Sequence, residues 1–83
     1  PGEPFTITGQ HIRKQSPFVH TLVCGDTNGI FGYMATDDEI DRGGYEPDSF
    51  WTSSDGYDFK SPPAKGLAGR TVKTAVELLW ELH

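Results

Sequence analysis

One cysteine, Cys24, stands in the 83 residues, so no disulfide can close within the chain. The three histidines, His11, His20 and His83, are scattered, which excludes a zinc knuckle of the Cys/His type. Domains of this size bury only about 60% of the surface that their unfolded chains expose. Disulfides or structural metals commonly offset that shortfall, and this chain has the residues for neither. No apolar run approaches the roughly 20 residues that cross a bilayer, so no transmembrane segment is expected, and no charged-then-apolar leader opens the sequence. Basic residues are also scarce. Seven stand against twelve acids, a net charge of −5 that repels phosphate backbones, and no basic stripe with interleaved aromatics offsets it, so nucleic acid is excluded as a partner. With 35% hydrophobic residues and a mean hydropathy of −0.49, the chain makes a poor self-contained core. The expectation is a C-terminal piece whose apolar faces pack on a missing N-terminal part of the same protein, where any leader would lie.

What the sequence does contain is a short alternation of helical and extended segments, expected to form an α/β fold: a small mixed sheet with flanking helices, without an internal domain boundary. Residues 5–15 predict a helix with Thr6 or Thr8 as N-cap, Ile7, His11 and Ile12 on one face, and Arg13 and Lys14 in the last turn. Ser16-Pro17 ends it, because proline moves its predecessor out of the α region. Residues 19–24, VHTLVC, alternate in the manner of a buried strand. Gly25-Asp26-Thr27-Asn28-Gly29 is dense turn chemistry, and a second strand is expected over Ile30 to Ala35. The two strands are either an antiparallel hairpin or joined by a crossing loop at the sheet's carboxyl edge.

Thr36-Asp37-Asp38-Glu39 reads as a capping box opening a brief helix that Gly43 and Gly44 stop. Eight acids lie between Asp37 and Asp58, opposed by Arg42 alone. They lack the spacing of a calcium loop, and solvated or capping roles account for most of them. From about residue 45 to 69 no period is sustained, and Phe50, Trp51, Tyr57 and Phe59 punctuate a long irregular loop. Residues 70–82, RTVKTAVELLWEL, form an amphipathic helix with Thr71 available as cap and Val72, Ala75, Val76, Leu79 and Leu82 in its stripe.

No nucleophile sits in a catalytic surround. Gly-x-Ser-x-Gly is absent, and Cys24, at the end of an apolar strand, reads as a small buried hydrophobe. His11 and His20 read as packed, hydrogen-bonded histidines rather than ligands. By themselves, Glu3 is a surface or capping acid and Tyr33 a core aromatic.

Three blocks, taken in order, carry a resemblance. Pro1-Gly2-Glu3-Pro4-Phe5-Thr6 resembles the Pro-Gly-Glu block of neutral/alkaline ceramidases and their uncharacterised bacterial relatives. Asn28 to Thr36, NGIFGYMAT, is similar to the N-x-x-x-G-Y-x-x-T block that follows it in that family. Arg42-Gly43-Gly44-Tyr45-Glu46-Pro47 resembles the continuation seen in the bacterial relatives, and the terminal Ala75-Val76-Glu77-Leu78-Leu79 helix is similar to their chain end. Two departures stand out: Pro4 follows the glutamate and restricts Glu3 to an extended backbone, and isoleucine occupies position 30, where the ceramidases carry an aromatic.

The resemblance implies the C-terminal part of a zinc-dependent amide hydrolase catalytic domain. Glu3 and Tyr33 fall on two of the metal ligands, and Asn28 on the loop beneath them. The two remaining ligands are histidines supplied by upstream sequence, and His11 and His20 do not match them. The substrate class implied is a lipid or another N-acyl amide, and a secreted or periplasmic location is compatible with the family. Two ligands close no site, so these 83 residues are expected to bind zinc weakly or not at all and to be inactive alone, with no catalytic residue among them. The alternative is a non-catalytic α/β binding or structural module that contacts a partner through the aromatic loop at residues 50–59.

Overall fold

The computed structural model describes residues 2–29, 32–47 and 64–83. In chain order these hold β1 (Glu3–Pro4), α1 (Thr6–Gln15), β2 (Tyr33–Met34), α2 (Asp37–Arg42) and α3 (Leu67–Leu82). The fold is mixed α/β, a two-stranded parallel sheet with flanking helices. Glu3 stands opposite Tyr33 and Pro4 opposite Met34. Parallel strands need a crossover connection, and α1 lies in it.

That topology corrects the expected pairing of the 19–24 and 30–35 segments, whether as a hairpin or through a crossing loop. The partner of β2 is β1, not the segment at 19–24, which makes no ladder among the described residues. Val19 and Leu22 are each 93% exposed. Their β-forming character reflects how well such side chains fit a half-buried pleated surface, and no second sheet face covers them here. Cys24 is consequently exposed rather than buried, and His11 and His20 also face solvent. The turn at 25–29 forms as expected, with Asp26 and Asn28 at positive φ. It leads into the amino end of β2, not the carboxyl edge of the sheet. There it braces β1: the Asp26 N–H donates to the Gly2 carbonyl at 2.6 Å. A Cβ at Gly25 would come 2.8 Å from Pro4 Cδ, so glycine is what allows this approach.

α1 begins at Thr6, with Phe5 in extended conformation as its N-cap and no side-chain cap bond. Neither threonine caps the helix. Thr8 instead turns inward with Gly9 and Ile12, leaving Ile7 and His11 outside. The apolar stripe is thus rotated from the Ile7–His11–Ile12 face. Arg13 and Lys14 close the last turn, and Ser16 leaves the helical region before Pro17, as proline requires.

Thr36 is the N-cap of α2, but its hydroxyl donates to the Asp38 carboxylate at 2.6 Å rather than to a backbone group, and Glu39 pairs with Arg42. The expected capping box is therefore replaced by side-chain contacts. Gly43, at φ 73, ends the helix. Residues 45–47 are helical within the stretch expected to be irregular. The aromatic segment at 50–59 lies outside the described residues.

α3 starts three residues earlier than expected. Gly66 takes the left-handed conformation as its N-cap, and Thr71 sits inside the helix, donating to the Leu67 carbonyl at 2.8 Å. α3 packs on α1. Ile12 and Ala68 are buried, Ala75, Val76 and Leu79 half-buried, and the Trp80 indole N–H donates to the Gln15 carbonyl at 3.1 Å. Among the described residues no helix is long and apolar enough to cross a membrane.

Candidate functional site

In open parallel sheets, ligand sites lie beyond the carboxyl ends of the strands, where successive connections separate. Here β1 runs into Phe5 and Thr6, and β2 into Ala35 and Thr36. Between them opens a cleft of about 650 Å³, whose lining includes Glu3, Phe5, Ile7, Tyr33, Thr36 and Glu46.

Glu3 and Tyr33 both line it, and the ladder puts them in register. Opposed residues on neighbouring strands project to the same face, with the strands about 4.8 Å apart. The bond that sets this register runs from the Glu3 N–H to the Gly32 carbonyl at 2.9 Å. Pro4, which cannot donate to a ladder, holds Glu3 in the extended conformation that the strand needs. Glu3 is exposed and Tyr33 half-buried, and the Tyr45 ring meets Tyr33 edge-on at 6.0 Å and 67°.

The cleft's charge has one sign. Glu3, Asp38, Glu39 and Glu46 line it, with no Lys, Arg or His among the described lining residues. The Thr36 hydroxyl bonded to Asp38 holds that carboxyl below the usual range, helped by backbone N–H groups and the Arg42 charge. Such a surface accepts cations and neutral polar groups and repels anions.

The donor chemistry of this pair is two oxygens, a carboxylate and a phenol. Carboxylate oxygen is an ordinary zinc donor, and a phenol, which ionises near pH 10 when free, binds metal as the phenolate that the cation itself stabilises. By donor type alone the pair is compatible with two of the ligands of a zinc site. Among the described residues no group of three His, Cys, Asp or Glu side chains is arranged to hold a metal. His11 and His20 do not line the cleft.

Asn28 lies elsewhere. It occupies the exposed turn that braces β1, at φ 61, and does not line the cleft. The turn supports the site through Gly25 and Asp26 instead. The residues that the sequence did not assign to the site are Asp38, Glu39, Tyr45 and Glu46. The signal for the last two was present in the Gly43-Gly44-Tyr45-Glu46 block, where a pair of glycines returns the chain toward β2. Asp38 and Glu39 read only as helix-cap acids, because nothing local says which side of α2 meets a cleft.

The chain matches no protein-family model, no curated protein and no solved structure.

Proposed function

We propose that this chain is part of a zinc-dependent amide hydrolase resembling neutral ceramidase, to which it contributes Glu3 and Tyr33 as two metal ligands. The observation that carries this reading is the ladder register. Two residues distant in the chain, singled out by separate motifs, stand directly opposite each other on neighbouring strands. Their position in a cleft at the carboxyl ends of a parallel pair adds support. So does the exposed apolar surface of Val19, Leu22 and Leu82, which suits a body that packs against an N-terminal part of the same protein.

Zinc, when bound, supplies Lewis-acid polarisation of an amide carbonyl and lowers the pKa of water toward neutrality. The Glu3 carboxylate would hold the metal and offset part of its charge. The Tyr33 phenol would supply the second oxygen, with its ring edge-on to that of Tyr45. The remaining ligands are two histidines outside these residues. The acidic wall of Asp38, Glu39 and Glu46 favours a neutral N-acyl amide over an anionic substrate.

The coding sequence upstream of Pro1 provides the first test: two histidine motifs are expected there, and their absence removes the enzyme reading. Zinc titration of the full gene-encoded protein provides the second. Glu3→Gln and Tyr33→Phe should each weaken binding, while the 83 residues alone bind weakly or not at all. Unchanged affinity in both variants overturns the ligand assignment.

A further inference from the structure

Two carboxylates on α2 reach across to the start of α3. Asp37 and Asp41 are four residues apart and therefore share one face of their helix. Asp37 Oδ1 accepts the Gly66 N–H at 2.7 Å, and Asp41 Oδ1 pairs with Lys65 Nζ. Gly66 is the N-cap of α3, at φ 90, and no side chain on α3's own segment caps the helix. Glycine offers no side-chain acceptor to the unpaired N–H groups of a helix start. Asp37 provides one acceptor from another helix, and its charge suits the positive end of the α3 dipole. The hydrogen bond to Asp41 raises the Lys65 pKa, which keeps the ammonium charged. No residue of α2 is fully buried, and the contacts from Asp37 and Asp41 join it to the start of α3. Asp38 and Glu39, on the same short helix, line the cleft.

We propose that Asp37 and Asp41 form a charge clasp through which the first turn of α3 sets the position of α2, and with it the acidic wall of the cleft. The clasp needs no metal, so it stands apart from the zinc reading. It is also exposed, so salt screens it. Salt, or neutralisation of Lys65, would release the cleft wall without touching a cleft residue.

The test is amide hydrogen exchange at Gly66, read together with the ring resonances of Tyr33, in metal-free protein. Asp37→Ala should speed Gly66 exchange roughly 5-fold, the ratio set by a helix cap of ordinary strength, and should shift the Tyr33 ring resonances. Asp37→Asn, which keeps an acceptor and loses the charge, should give a smaller change in the same direction. Lys65→Gln should speed exchange about 2-fold, as expected for an exposed ion pair, and should reduce its salt dependence. Asp38→Ala is the control, because it removes a first-turn acid of α2 outside the clasp and should leave Gly66 unchanged. The Trp80 indole N–H, bonded to Gln15, reports whether each variant keeps its fold. Should Asp37→Ala lose that signal, the milder Asp37→Asn decides. The clasp is overturned if Asp38→Ala matches Asp37→Ala, if Gly66 exchange stays at its original rate, or if the Tyr33 resonances do not move when Gly66 is released.

Discussion

The α1–α3 helix pair and the β1–β2–α2 cleft are held together by different physics. The helix pair rests on burial: Ile12 and Ala68 are enclosed, Ala75, Val76 and Leu79 half-enclosed, and one indole bond ties the helix ends. The cleft rests on two ladder positions, a braced turn and carboxylates, and no residue of α2 is fully buried. A small apolar core is thus spent on positioning two helices, while the chemistry-bearing side chains hang on backbone geometry. Changes to packing should unfold the first region, and changes to charge or backbone should rearrange the second.

Ile12→Ala strikes the packed half hardest. Loss of a buried branched chain should cost about 2–3 kcal/mol in urea unfolding, while glycine or surface changes near the cleft cost less. A clearly smaller loss from the exposed site Ile7→Ala would sharpen the contrast, and an equal loss would break it.

Gly25→Ala probes the other half through its backbone. Its new methyl group meets Pro4 Cδ, so overpacking should cost about 1–2 kcal/mol. The damage should centre on β1, visible as loss of exchange protection at the Glu3 amide.

Thr8→Val should change stability in the opposite direction. Thr8 is 1% exposed, and its hydroxyl has no hydrogen-bond partner among the described residues. Replacing an unsatisfied buried hydroxyl with a methyl of the same shape should raise stability by about 1 kcal/mol, read as a higher urea midpoint.

The smallest effect is the pH dependence of the charged half. Asp38 has a folded pKa below its unfolded value, chiefly through the Thr36 hydroxyl. Its contribution is therefore present above the unfolded pKa and lost as pH falls through the folded one. Lys65 has a raised folded pKa through its bond to Asp41. Its contribution is present below the unfolded pKa and lost as pH rises through the folded one. Asp38→Asn should flatten the acid limb of the stability profile and Lys65→Gln the alkaline limb, with both effects small because the groups are exposed.

The helices were legible because their signals are local. Residues 5–15 and 70–82 carry helical periodicity, and Ser16-Pro17 and Gly43 stop helices by backbone sterics alone. Their starts were less legible, since Phe5 and Gly66 cap without side-chain acceptors and the threonines nearby point elsewhere. The segment at 19–24 misled because β propensity expresses packing against neighbours that a lone sequence does not reveal. Glu3 and Tyr33 were picked out by motif, but their pairing was not readable from either motif. Register between distant strands belongs to the folded chain. Asp38 and Glu39 joined the cleft for the same reason, through the rotation of α2 rather than through their spacing.

The parallel pairing of β1 with β2 also orders events in time. Helices grow from contacts a few residues apart, whereas the Glu3–Tyr33 ladder must close about thirty residues of chain before it yields any bond. Contact order therefore predicts that α1 forms first and that Glu3 and Tyr33 come into register only when the ladder closes.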